Sequence, residues 1–194
     1  QRMDIVNPYK LDIDNKLLNI YAKIGTLNKN GKSIAMQFSG LIHKQDAHFG
    51  NNIHNGEQQS WFINLMRDRI FNANHSIRYG FSTFYDRYGE YFDGNINMPY
   101  ENVRNHLVSG LYTEHIYGNL ETLKLVTGFR ADYYNISKSL YFSPRTNLRY
   151  NHSENTVLRL SIGKAFRIPQ PLVENFSYLN SSRFIHIEDV IDPE

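Results

Sequence analysis

Residues 121–135, ETLKLVTGFRADYYN, alternate too strictly for most folds. Every second side chain from Leu123 gives Leu123, Leu125, Thr127, Phe129, Ala131 and Tyr133, while the intervening set holds Lys124, Arg130 and Asp132. Successive side chains of a strand leave opposite faces, so one face is apolar for ~20 Å or more at ~3.3 Å per residue. A period of two excludes an amphipathic helix. It leaves open which face meets water.

The same period recurs along the chain. Ile34, Met36, Phe38 and Ile42 oppose Ser33, Gln37 and Ser39; Ile77, Tyr79, Phe81 and Tyr85 oppose Ser76, Arg78, Ser82 and Asp86; Leu158, Leu160 and Ile162 oppose Arg159 and Ser161. Residues 17–27, 58–70, 105–117 and 139–151 alternate less cleanly but are rich in strand formers. The reading is about eight strands, each near the length that crosses a bilayer at a tilt.

Connection lengths add a second pattern. Short reversals are expected near Asn30, Asn74, Asn119 and Ser153, where Asn, Gly and Ser favour tight turns. Between them come long polar stretches, KQDAHFGNNIHNGEQQ after His43 and GEYFDGNINMPYENVR after Tyr88, a shorter NISKS connection, and a run onward from Arg167. Brief turns at one end and longer loops at the other are the asymmetry of a transmembrane barrel. Two registers are expected: Arg149 opposite Val157 with Asn147 opposite Arg159, and Glu114 opposite Lys124, so that no charge crosses to the apolar face.

Composition closes several doors. A net charge of +2 gives no electrostatic case for nucleic acid. The absence of Cys removes disulfides, thiolate metal sites and cysteine nucleophiles. No apolar run reaches the ~18 residues of a helical span, which does not bear on a membrane barrel. No phosphate loop, nucleophile elbow or zinc-hydrolase motif is present, so the reading is non-enzymatic and calls for no cofactor. The chain opens at Gln1 without a leader, and the expectation is an internal segment or a processed product.

Three groups of residues carry chemistry. His43, His48 and His54 fall in one expected outer loop, where imidazoles could ligate a metal or haem iron, or serve merely as polar loop residues. Tyr79, Phe81, Tyr85, Tyr88, Tyr91 and Phe92, and likewise Tyr133, Tyr134, Tyr141 and Phe142, crowd strand ends; they suit an interfacial girdle or, alternatively, a soluble core. Arg167 follows a strand end and is a candidate for ligand contact, although a chain exit needs only packing and proline.

The stretches TLKLVTGFRADYY and FSPRTNLRYNHSENTVLRLSIGKAFRIPQP, with the closing DPE, resemble the central barrel of TonB-dependent outer-membrane receptors. The motif positions are Gly128, Arg130 and Asp132; Ser143, Pro144 and Arg145; Gly163, Phe166, Arg167 and Pro169; then Pro193 and Glu194. Residues 105–194 carry the likeness, and residues 1–104 match mainly in strand rhythm. Residues 172–185, LVENFSYLNSSRFI, resemble the Bacteroidetes branch that includes cobalamin-receptor-like and metal or haem receptors.

The resemblance implies an all-β fold: an antiparallel transmembrane barrel segment, residues 1–194, from a larger barrel closed by a plug domain. The plug and the later strands are then expected outside this stretch. It implies import of a scarce nutrient across a Gram-negative outer membrane (siderophore, haem, metal or cobalamin), with membrane lipid, the plug, the remaining strands, the TonB complex and a surface lipoprotein as partners. Lys124, Arg130, Asp132, Arg145, Arg149 and Arg159 are expected to face lumen or plug, since a charge facing lipid costs ~2–4 kcal/mol near the midplane. Two alternatives stand beside this reading: a complete small eight-stranded barrel serving as adhesin or structural protein, and a soluble β-sandwich binding module.

Overall fold

The computed structural model describes residues 10–28, 32–94, 99–118 and 122–168. They form one antiparallel sheet: β1 (Leu11–Asn28), β2 (Lys32–Phe49), β3 (Asn52–Asn72), β4 (His75–Asp93), β5 (Tyr100–Gly118), β6 (Leu123–Tyr134), β7 (Ser139–Phe142), β8 (Arg145–Ser153) and β9 (Thr156–Gly163). The order is β1-β2-β3-β4-β5-β6-β8-β9, with β7 paired to the upper part of β6. Each strand therefore lies beside its chain neighbour, the meander of an up-and-down barrel wall.

The alternation assigns the faces. Outward stand Ile34, Met36, Ile63, Leu65, Phe81, Leu111, Phe129, Leu160 and Ile162, all exposed. On the opposite face Ser82, Asp86, Glu90, His106 and Asp132 are buried. A water-soluble domain shows the reverse arrangement. A cleft lined by residues from Lys23 of β1 to Gly163 of β9 shows that the sheet curls around its polar face. Leu123 and Leu125 thus share the convex side with Phe129, and Arg130 and Asp132 lie on the concave side.

The convex apolar band is slanted against the hydrogen-bond register. Ile34, the lower end of the band in β2, aligns through Arg67, Tyr79 and Thr113 with Phe129, yet the band of β6 continues to Leu123. The lower end thus slides by six residues, ~20 Å, across four strand spacings of ~19 Å, a tilt of roughly 45°. Membrane barrels tilt their strands by ~35–45°.

Several expectations are corrected. The two long polar stretches are mainly strand rather than loop among the described residues. β2 and β3 run on to a two-residue turn at Gly50 and Asn51, and β4 and β5 extend to Asp93 and from Tyr100. Within these strands the polar side chains still alternate, and successive residues hold ladder partners. Gly50 takes φ 62°, which this reversal demands and a side chain resists. The described residues form nine strands, in keeping with the expected count of about eight; the ninth arises where Pro144, lacking an N–H, separates β7 from β8.

Both expected registers also shift. Arg149 faces Arg159 and Asn147 faces Ser161, with an irregularity between Asn151 and Ser153. Lys124 faces Gly118, and Glu114 faces Gly128. The reversal near Asn74 is as expected, closed by Asn74 N–H donating to Asn72 Oδ1 at 2.9 Å. The expected turns at Asn30 and Asn119, along with Pro169, residues 172–185, Pro193 and Glu194, lie outside the described residues.

Candidate functional site

The concave face is built in rungs, because an antiparallel register sets inward side chains of successive strands side by side. The lowest well-connected rung runs Ser33, Asp68, Arg78, Glu114, Gly128, Arg145. Arg78 donates to both carboxylate oxygens of Asp68 at 2.7 and 3.2 Å, Ser33 Oγ donates to Asp68 at 3.2 Å, and Arg145 is ion-paired with Glu114. Gly128 leaves the space in which the Arg145 side chain crosses to Glu114.

One rung higher, Arg130 Nε donates to Asp132 Oδ2 at 2.6 Å and Nη2 to Ser82 Oγ at 2.8 Å, reaching over β5 to β4. Tyr112 lies beneath that guanidinium, 5.9 Å from it, and donates to Asn64 Oδ1 at 2.9 Å. Gly110 makes this possible, since a Cβ there would overlap the Asp132 carboxylate. These groups border a cleft of ≈ 990 Å³. An apolar rung follows: Phe62, Phe84, Val108 and Tyr134.

Above it the strands rise past the apolar band, and a second polar tier forms. Asp86 accepts from Ser60 Oγ at 2.6 Å and Gln58 Nε2 at 3.1 Å, and His106 Nδ1 meets the Tyr134 hydroxyl at 2.6 Å. Glu90 and Arg104 form a buried ion pair, with Arg104 over the Tyr88 ring at 5.5 Å. Burial pushes the Glu90 carboxyl above its usual range, against the pull of Arg104. The Tyr88 hydroxyl is pushed up to about 12, first by burial and then by Glu90.

The expected inward charges share one face as the register requires. Lys124, Arg149 and Arg159 make a three-cation rung nearest the turns, and Arg130, Asp132 and Arg145 belong to the networks above. The three histidines are not a loop cluster. His43 points inward and meets Asn15 Oδ1 at 3.3 Å; His54 points inward and is fully buried, which lowers its pKa; His48 shares the outward face with Lys44 and Asp46. Strand alternation separates what a flexible loop could have gathered. Among the described residues no three His, Cys, Asp or Glu side chains gather as metal ligands.

Beyond β9 the chain turns inward. Lys164 N–H donates to Pro144 O at 3.0 Å and Phe166 stacks on Tyr141 at 4.5 Å, so Gly163 and Phe166 of the motif anchor the exit, leaving Arg167 exposed beside it.

Sequence reasoning missed Asp68, Glu90, Arg104, His106 and Tyr112 as parts of this wall. The signal was there. The even-numbered positions of β4 carry Arg78, Ser82 and Asp86 on to Tyr88, Glu90 and Phe92 without a change of phase.

The chain matches the family model described as TonB dependent receptor-like, beta-barrel, over residues 8–189. No curated protein matches it.

Proposed function

Because the chain belongs to the TonB-dependent receptor-like β-barrel family, we propose that it forms part of the wall of a larger plugged receptor barrel that imports a scarce nutrient. The family is one of outer-membrane transporters, not enzymes. The observation that carries the proposal is the inverted distribution of polarity: exposed leucines, isoleucines and phenylalanines outside, buried carboxylates and arginines inside. A sheet of this kind is stable where hydrocarbon covers its convex side.

Membership implies a plug and a TonB contact in the parent protein. The rung of Lys124, Arg149 and Arg159 has no carboxylate facing it among the described residues and suits docking of an acidic plug surface. Higher up, the Arg130–Asp132 and Glu90–Arg104 pairs, with His43, His54 and Arg167, are assigned to the ligand path; His48, outward, is assigned to the barrel exterior. A siderophore, haem, metal complex or cobalamin of the Bacteroidetes-type receptors is the class of cargo proposed.

The barrel arrangement is favoured over the two alternatives by particular facts. A sandwich needs a second layer on Leu123, Leu125 and Phe129, and the described residues supply none. A closed eight-stranded barrel needs β1 paired with the last strand, and among the described residues β1 and β9 do not pair.

The absence of Cys permits a direct test. Single Leu111→Cys and Leu160→Cys variants in the outer membrane should react only with membrane-partitioning maleimides. Gln37→Cys and Arg149→Cys should react with water-soluble ones. The opposite pattern refutes a lipid-facing convex side, and competition of uptake by a panel of iron, haem and cobalamin ligands then identifies the cargo.

A further inference from the structure

The convex face carries charge above and below its apolar band, and the two sets differ in kind. Above, the charges are mixed and paired: Lys10 with Asp12 at 3.2 Å, Lys16 with Asp14 at 3.6 Å, and Lys44 with Glu57 at 3.4 Å. Below, toward the turn at Asn74, stand Lys32 on β2 and Arg67 and Arg69 on β3. No Asp or Glu shares that part of the face among the described residues, and none of the three cations has an ion pair there.

The register makes this arrangement unfavourable by itself. Lys32 is directly opposite Arg69, a like-charge cross-strand pair, and like charges in that position repel. Arg67 follows two residues along the same face, between Ile34 and Tyr79, a position from which a long cationic side chain can lay its stem on the apolar band and keep its head in water. Arg69 lies over the Phe71 ring at 4.9 Å. Lys32, Arg67 and Arg69 thus form one carboxylate-free cationic group at the lower boundary of the band among the described residues, beside Ile34, Phe71 and Tyr79.

We infer that Lys32, Arg67 and Arg69 bind the phosphodiester of an anionic phospholipid headgroup in the leaflet at the short-turn end. A phosphate oxygen between Lys32 and Arg69 turns their repulsion into two charge-assisted hydrogen bonds, and the acyl chains then lie along Ile34, Tyr79 and Leu65. The inference rests on the lipid-facing reading of the convex side, and the test separates the two.

The protein is reconstituted in nanodiscs, and Trp61, the single tryptophan, reports on the lipid face. Lipids brominated in the acyl chain should quench Trp61 whatever their headgroup. No quenching refutes the lipid-facing reading itself. Retention of phosphatidylglycerol over phosphatidylcholine through detergent washing is then measured by mass spectrometry. The wild type should prefer phosphatidylglycerol; the combined Lys32→Gln, Arg67→Gln and Arg69→Gln variant should lose about fivefold in affinity per cation, roughly a hundredfold in all. Arg67→Lys with Arg69→Lys, which keeps the charge, should retain the preference, as should Lys44→Gln with Lys16→Gln above the band. With Trp61 quenched, four results each overturn the inference: no preference in the wild type, equal loss in the upper-face variant, displacement of the lipid by millimolar inorganic phosphate, or stronger retention of lipid A.

Discussion

Glu90 and Arg104 show how much a single side chain can matter in this wall. Their side chains are 0 % and 9 % exposed, so neither charge has water to fall back on. Removing one partner of a buried pair leaves the other uncompensated and costs ~3–5 kcal/mol. Arg104→Met should lower unfolding stability in detergent by that order at neutral pH, and the Arg104→Met, Glu90→Gln double variant should recover most of the loss. The pH dependence follows from the raised carboxyl. Between the unfolded value of 4.5 and the higher folded value, the folded chain binds more protons, so stability falls as pH rises through that window. Glu90→Gln should flatten this part of the profile, and unfolding curves at pH 4.5 and 7 measure it. Neither residue stood out in the sequence, because Glu90 sits in GEYFDGN, whose composition resembles a loop. Only the unbroken phase from Arg78 to Phe92 marks it as strand.

At the level of strands, face and register were legible to different degrees. Faces follow from the period of two and are a property of each strand alone, so the inward side of β6, β8 and β9 could be read directly from Lys124, Arg130, Asp132, Arg145, Arg149 and Arg159. Register depends on where each turn closes. Arg149 faces Arg159 rather than Val157, and Lys124 faces Gly118 rather than Glu114, shifts of two and four residues. Both are even, because an odd slip would turn charges toward the apolar side. The turns that decide this rest on local backbone: an irregularity at Asn151 and Ser153, and Gly118 at φ 99°. Long polar stretches misled for another reason. Strands that rise beyond the bilayer no longer need an apolar outer face, so Lys44, Asp46 and Glu57 look like loop while their backbones stay paired. Amide exchange tests this: residues 43–48 and 53–58 should be protected about as well as residues 34–38. Exchange at the rate of a free loop would restore the loop reading.

For the molecule as a whole, the sheet has two kinds of unmet surface. Its convex face exposes side chains such as Leu111 at 66 % and Ile162 at 68 %, and β1 and β9 are unpaired along one side among the described residues. Burying a Leu, Ile or Phe side chain is worth ~1.5–3 kcal/mol, so the convex face alone provides a strong drive to associate in water. An unpaired strand edge supplies a template for that association. In the receptor wall proposed above, hydrocarbon would satisfy the first surface and further strands the second. Most of the concave side asks for neither, since its carboxylates already hold arginines of the same or nearby strands; the rung of Lys124, Arg149 and Arg159 is the exception. The chain expressed by itself should therefore precipitate or form large oligomers in buffer. It should become monodisperse only in detergent or lipid, and should retain open-edge association even there until adjoining barrel strands are supplied. Light scattering with and without micelles, and again with co-expressed flanking strands, follows each step. A monodisperse monomer in plain buffer would mean that the convex face is covered by protein, and hydrocarbon would then have no part in holding this sheet.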